Sequence, residues 1–304
     1  MSNPSSVTRA VIISLIALLL FDLMGLIIKL LSPRYTASEL SAYRNIFGLF
    51  PSAIALWSSP GWLRGGRRLR VRQWPLMCMR GLIVTFAQFM FYLSLGRIAF
   101  ATTTTISYSS ALFMTAFAVL LLGERVGKIR WLAVLIGFVG VVMVVGPGRD
   151  SFTWSALLPF GAAALYALTG ATARMIDDDV PSALVNLYSS AFAVVGSVFL
   201  ALGLGGFSPI QSAVDFGWIV AMGGFGGTAV LCLVVSYRMT EQSNLAPFSY
   251  FGIPLAFILG WLFFDEAPVS DIFPGAVLIV LGGLMVIWRE RRLTGKSNSA
   301  PEII

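Results

Sequence analysis

Ten unbroken apolar stretches, each about twenty residues long and almost free of charge, set the terms for this chain. They run 10–31, 39–58, 74–95, 99–122, 128–146, 154–174, 183–204, 216–237, 243–264 and 271–288. A helix needs roughly 20 apolar residues to cross the hydrocarbon core of a bilayer, so each stretch has the length of one crossing. What is left makes only short loops and two tails, and no soluble domain fits between the spans. Charged residues make up 12 % of the chain and hydrophobic ones 57 %, against about 25 % charged in soluble domains. The expected fold is therefore an all-α membrane protein of ten transmembrane helices. A β-barrel would show alternating strands of about ten residues, and the stretches here are continuous.

Several chemistries fall away with the residue inventory. The chain has no histidine, which removes zinc–histidine sites and histidine-based catalysis. Cys78 and Cys232 each lie inside an apolar run and are expected as packing residues rather than a disulfide. No Gly-x-x-x-x-Gly-Lys-Ser/Thr phosphate loop occurs, so the chain does not by itself drive transport with ATP. No cofactor, metal centre or catalytic residue is expected, and the chain is read as not being an enzyme. The net charge of +7 is a matter of topology rather than of nucleic acid.

Lysine and arginine distribution orients the spans. With the N-terminus in the cytoplasm, the cytoplasmic flanks hold Arg9, Arg64, Arg67, Arg68, Arg70, Arg72, Arg125, Lys128, Arg130, Arg174, Arg238, Arg289, Arg291, Arg292 and Lys296. The opposite side holds only Arg34, Arg97 and Arg149, and Lys29, Arg44 and Arg80 fall within spans. Both termini are thus expected in the cytoplasm. Met1–Ala10 runs into the first span without a small-residue cleavage site, and that span reads as a retained helix rather than a signal peptide. The basic segment Arg64–Arg72 suits anionic lipid, although the positive-inside rule already accounts for it.

Shifting the chain by 142 residues lays the fourth and fifth spans over the ninth and tenth. Ser94/Ser236, Ser107/Ser249, Tyr108/Tyr250, Leu120/Leu262, Glu124/Glu266, Gly140/Gly282, Met143/Met285 and Val144/Val286 coincide without gaps. In each half a helix ends at a lone glutamate and a glycine-bearing apolar helix follows. The expected organisation is a first five-helix repeat at 10–146, a second at 154–288 and a cytoplasmic tail at 289–304. Five is odd, so the second unit inserts upside down relative to the first, as in many secondary transporters.

These residues resemble a known family. Leu121-Leu122-Gly123-Glu124-Arg125, with Ala246-Pro247, Pro254 and Asp265-Glu266 around the ninth span, look like the EamA-type transporters of the drug/metabolite transporter superfamily. The resemblance covers about residues 10–290 and implies ten helices, inverted pseudo-symmetry, a central cavity and alternating access. One departure is visible: Leu112 stands where the second half has Pro254, which raises the question of whether the fourth and ninth spans bend alike. Phe21-Asp22, Lys29-Leu30-Leu31-Ser32 and Glu39-Leu40-Ser41-Ala42-Tyr43-Arg44 are similar to bacterial members that carry metabolites such as riboflavin or S-adenosylmethionine. Amino-acid exporters are close relatives.

Ionisable groups inside a bilayer are costly and mark function by default. Asp22 sits about twelve residues, roughly 18 Å, into the first span. It suits a substrate amine or a coupling proton, the structural alternative being an ion pair with Lys29 or Arg44. Lys29 lies seven residues on, within about 20° of the same face. With Arg44 it suits a carboxylate or phosphate; the alternative is that Lys29 snorkels and Arg44 pairs with Asp22 or Glu39. Arg80 reads as a snorkelling anchor.

Gln88 and Tyr92 share a face at i, i+4, and the hydroxyl run from Thr102 to Ser110 suggests one side turned to water. Tyr108, Tyr166, Asn186, Tyr188, Asn244, Tyr250 and Trp261 complete an aromatic and amide lining suited to an organic ligand. Trp57, Trp74, Trp131, Trp154 and Trp288 belong to the interfacial belts. Gly223-Gly224-Phe225-Gly226-Gly227 reads as a close-packing seam, and Pro51, Pro159 and Pro254 as kinks.

The sequence therefore points to a bacterial inner-membrane secondary transporter of a small organic metabolite. An amino acid, a flavin or an adenosyl compound would fit, with lipids as neighbours and a monomer or homodimer as the assembly. The rival within the superfamily is an organellar nucleotide-sugar transporter. An intramembrane lipid-modifying enzyme would need clustered acid/base groups, and a channel a repeated pore ring. Green fluorescent protein fused at the C-terminus is expected to fluoresce, and alkaline phosphatase fused there to stay inactive. The reverse pattern would invert the topology.

Overall fold

The computed structural model describes residues 4–59, 62–63, 66, 69, 71–123, 127–146, 153–173, 175–177, 180–239, 245, 248, 250–266 and 269–297. Arg64, Arg67, Arg68, Arg70, Glu124, Arg125, Arg149, Arg174 and Asn244 lie outside them. Among the described residues every regular element is helical: α1 (Pro4–Leu31), α2 (Ala37–Trp57), α3 (Trp74–Leu95), α4 (Phe100–Ser107), α5 (Ser110–Leu122) and α6 (Lys128–Val145). A 3₁₀ turn at Trp154–Ala156 leads into α7 (Leu157–Ala173), followed by α8 (Ser182–Gly203), α9 (Ala213–Met239), α10 (Gly252–Phe264), α11 (Val269–Ile272) and α12 (Gly275–Ser297).

Six described segments are long and apolar enough to cross a membrane: Thr8–Leu31, Trp74–Leu95, Phe100–Leu121, Trp154–Ala173, Ala183–Gly203 and Ala213–Leu233. Trp131–Val145, Gly252–Phe264 and Gly275–Met285 are shorter apolar helices. Large apolar side chains cover the outside, among them Leu120 at 75 % exposure and Leu262 at 68 %. Such a surface suits lipid and would be a liability in water. Trp57, Trp74, Trp131, Trp154 and Trp288 are all exposed, each near a helix end or in the last helix.

The segment expected as one helix from 99 to 122 is instead two. Thr104 Oγ1 donates to Phe100 O (2.9 Å) and Ser107 Oγ to Thr103 O (2.9 Å), so hydroxyls compete for the carbonyls of the helix ladder. At Tyr108–Ser109 the backbone tightens, with Tyr108 N donating to Thr105 O (3.2 Å) and Ser109 N to Ile106 O (3.0 Å). The chain turns again just before α10, where Phe251 N donates to Phe248 O (3.1 Å). The two interruptions fall at the same register of the 142-residue shift although Leu112 replaces proline. Pro254 sits in the first turn of α10, where its missing N–H removes no helical bond.

α1 packs on α9 and α3 on α7; α9 packs on α2 and α3 on α8. α2 also meets α8, α6 meets α12, and α4 meets α10. The helices approach closely where glycines stand. Gly223 faces Phe47, and Gly227 faces Pro51 and the Gly48 carbonyl, so the glycine run on α9 is a packing seam against α2. In the α6–α12 seam a Cβ on Gly140 would lie 2.6 Å from Gly275 O, and one on Gly282 2.7 Å from Ala133 O.

Polar clasps hold the loops at both ends. Tyr35 OH (3.0 Å) and Arg34 Nη1 donate to Asp215, and Gln211 N donates to Tyr35 OH (3.0 Å). Glu39 closes a capping box with Thr36 at the start of α2 and accepts from the backbone and hydroxyl of Ser208. At the other end of α2 the clasp is uncharged: Asp177 N donates to Gln73 Oε1 (2.9 Å) and Tyr188 OH to Leu69 O (3.0 Å). Cys78 and Cys232 are both free.

Filling the α6–α12 seam with Gly282→Val is expected to cost about 1–3 kcal/mol and to lower Tm by roughly 3–10 °C. Gly217→Ala, where an added Cβ meets nothing, should leave Tm nearly unchanged. A thermal melt in detergent reads both.

Candidate functional site

Asp22 lies in the middle of α1 and is 7 % exposed. Its Oδ2 has no hydrogen-bond partner. The anticipated pairing with Lys29 or Arg44 does not form. Lys29 Nζ instead reaches across the fold to Glu266, at 2.6 and 2.8 Å from its two oxygens. It also donates to Ile98 O (3.0 Å) and lies 5.0 Å from the centre of the Phe264 ring. Glu266 accepts from Phe100 N as well (3.0 Å), so this carboxylate caps α4 from outside its own helix. Glu39 is committed to Thr36 and Ser208 and does not meet Arg44.

Arg44 donates from Nη1 to Asn45 Oδ1 (3.1 Å), and its Nε is buried without a partner. The guanidinium lies against Gly226 of α9, with Met24 of α1 beside it; a Cβ on that glycine would come within 2.9 Å of Nε. Arg44 is in electrostatic range of both Tyr92 and Tyr166. Tyr92 is 2 % exposed with an unpartnered hydroxyl.

A second group gathers around Asp22, which is in electrostatic range of Tyr108. The Tyr108 ring is tilted 41° to that of Tyr250, with centroids 5.7 Å apart. Tyr250, 7 % exposed, also has a hydroxyl without a partner. Both tyrosines stand at helix interruptions. Thr103, Thr105 and Ser109, on and just after α4, add three fully buried hydroxyls in the same condition. Native proteins leave few buried polar groups unsatisfied, so this concentration on α1, α2, α3 and α4 and at the turns before α5 and α10 marks the candidate site.

Gln88 belongs to a satisfied network rather than to this set. Its Oε1 accepts from Asn45 Nδ2 (2.7 Å) and Ser41 Oγ (3.4 Å), while Asn45 also reaches Ser197 Oγ (3.2 Å) on α8. Asn186 donates to Ser52 Oγ (3.2 Å). Trp261 lies apart on the outer face of α10, 58 % exposed. Arg80 Nε and Nη1 are buried without partners. Sequence reasoning missed Asn45 and Ser197, whose only signal was an amide and a hydroxyl within apolar runs, and it missed Glu266 as the partner of Lys29.

A helical shell clad in apolar side chains around unpartnered charges defines a multi-pass membrane protein. The profile of the EamA-like transporter family matches residues 8–146 and 153–288, and the chain belongs to that family, within the drug/metabolite transporter superfamily. It is 27 % identical over 240 residues to a riboflavin transporter of Brucella anthropi, covering 78 % of this chain and 83 % of the relative. It is 24 % identical to an S-adenosylmethionine uptake transporter of Rickettsia felis, with 90 % of each chain covered. A pseudopaline exporter of Pseudomonas aeruginosa is 23 % identical over 89 % of this chain and 93 % of its own. A solved crystal structure at 22 % identity shares the fold, with a TM-score of 0.61 over 94 % of this chain and 99 % of that one.

Gln88→Leu would strip Asn45 of its shortest bond inside the protein. A loss of about 1–3 kcal/mol is expected, read as a lower Tm in detergent.

Proposed function

We propose that this chain is a secondary transporter of the bacterial inner membrane that moves a small organic metabolite by alternating access. The observation that carries the reading is the set of buried, unpartnered polar groups around Asp22, Arg44, Tyr92 and Tyr250. A carboxylate and a guanidinium left incomplete on neighbouring helices would be completed by a ligand that carries a cation, an anion or both. Asp22 would hold an amine or exchange it for a coupling proton, and Arg44 would contact a carboxylate or phosphate. Tyr92, Tyr108, Tyr166 and Tyr250 would flank a planar body, and Lys29 would stand at the entrance. The names of the relatives, riboflavin and S-adenosylmethionine transporters among them, support a metabolite of that size. Their bacterial sources favour the inner membrane over an organelle carrying nucleotide sugars.

The architecture proposed for this activity is two inverted five-helix repeats, 10–146 and 154–288, with both termini cytoplasmic. Two observations support it. The family profile matches twice, once in each half. Helix packing is also reciprocal: α1 on α9 is answered by α7 on α3, α2 on α9 by α8 on α3, and α1 on α10 by α7 on α5. In such a repeat pair the substrate site lies between the halves near midplane, and Tyr108 of one half and Tyr250 of the other would line it.

Purified protein is to be melted with amino acids, flavins, nucleosides and adenosyl compounds, wild type beside Asp22→Asn and Arg44→Ala. A true ligand at a hundred times its Kd stabilises by about 2.7 kcal/mol and should raise the Tm of wild type but of neither variant. Equal stabilisation of all three proteins would reduce both charges to structural roles. The hit is then tested for saturable counterflow in proteoliposomes; linear, unsaturable flux would replace the carrier with a channel.

A further inference from the structure

The pair Lys29–Glu266 sits at the base of a cleft of about 410 Å³ that opens at the end of α1 and is lined by Ser32, Leu95, Arg97 and Phe264. Three segments far apart in the chain converge on these two side chains. Lys29 closes α1, Ile98 and Phe100 belong to the turn from α3 into α4, and Glu266 follows α10. Beneath the pair lies Phe100, 1 % exposed. Gly25 of α1 makes room for its ring, where an added Cβ would come within 3.1 Å, and a Cβ on Gly260 of α10 would meet its Cβ at an ordinary 3.7 Å. Asp22 is seven residues, roughly 10 Å, further down α1 on nearly the same face as Lys29. The order from the cleft inward is therefore ion pair, aromatic plug, orphaned carboxylate.

We propose that Lys29 and Glu266 are the gate over this mouth: their separation, with withdrawal of Phe100, opens the cleft toward Asp22. The inference rests on the alternating-access reading above. Hydration decides between a gate and a fixed strut. The side chains of Lys29 and Glu266 keep 11 % and 30 % exposure, so water at the base of the cleft replaces their bonds as they part. A strut would resemble Asp215, whose side chain is 1 % exposed beside Arg34 at 42 % and which a second, buried donor, Tyr35, also holds. Ion pairs with access to solvent contribute little net stability, and Gly25 gives the Phe100 ring no β-carbon to lock behind. Beside the pair, α4 meets α10 through a ring contact, with Phe100 and Phe264 centroids 6.5 Å apart, which can slide without leaving a polar group unpaired.

The test is a distance measurement that needs no substrate. Spin labels are placed at Pro33→Cys and Phe263→Cys, both exposed and on either side of the pair, with Cys78 and Cys232 replaced by alanine. Double electron–electron resonance is recorded in liposomes for Lys29 and Glu266 intact, for Lys29→Ala, for Glu266→Gln, and for the exchanged pair Lys29→Glu with Glu266→Lys. A single short distance is expected with the pair intact and a long component grown several-fold in either single variant. The exchanged pair should bring the short distance back. Glu266→Gln, nearly isosteric, carries the comparison if Lys29→Ala does not fold. Identical distributions in all samples, or an exchanged pair that stays long, overturn the gate. Counterflow of the ligand found above, measured on the same liposomes, separates the two readings. Unchanged distances with intact counterflow overturn the gate alone. Responsive distances without counterflow in the intact protein overturn the carrier reading and the gate with it.

Discussion

A polar group in hydrocarbon has no water to turn to, and most of this structure can be derived from how that constraint is met. Backbone groups meet it within helices. Side chains meet it by reaching across the fold, and the bonds they make are long-range: Asn45 to Gln88 and Ser197, Tyr35 to Asp215. Apolar packing gives helices in lipid little reason to choose one neighbour over another. These few polar contacts, together with glycine seams that admit only a close-fitting partner, specify which helix lies beside which.

The same constraint identifies where the fold is incomplete. Asp22, Arg44, Tyr92 and Tyr250 hold buried atoms that have no partner among the described residues, while Gln88, a few residues from Tyr92, accepts twice at its Oε1. The difference is physical. A satisfied amide network between α2, α3 and α8 fixes those helices against each other. Asp22 Oδ2 and Arg44 Nε take no part in such a join among the described residues.

Much of this was legible in the sequence, because hydropathy and charge are local properties. The apolar stretches, the embedded charges Asp22, Lys29 and Arg44, and the seam at Gly223–Gly227 can all be read along the chain. Pairing cannot, since Lys29 and Glu266 are joined by geometry that no spacing encodes. The alternatives considered for Lys29 therefore ran to its sequence neighbours. The interruption at Tyr108–Ser109 carried a signal, the dense threonine and serine run. That run reads as a polar face as readily as it reads as a break. Trp261 shows the limit from the other side: one aromatic in an apolar helix looks the same whether it faces ligand or lipid, and only the packing of α10 turns it outward.

The separation in sequence between Lys29 and Glu266, 237 residues, has a consequence for how the protein is made. Ribosomes add roughly 5–20 residues per second, so Lys29 enters the membrane some 10–50 s before its carboxylate exists. During that interval α1 carries a cation and a carboxyl without their final surroundings. Its retention in the bilayer must rest on the hydrophobicity of Thr8–Leu31, whose most apolar 18 residues have a mean hydropathy of 2.8. Of the six long described segments it is also the most apolar.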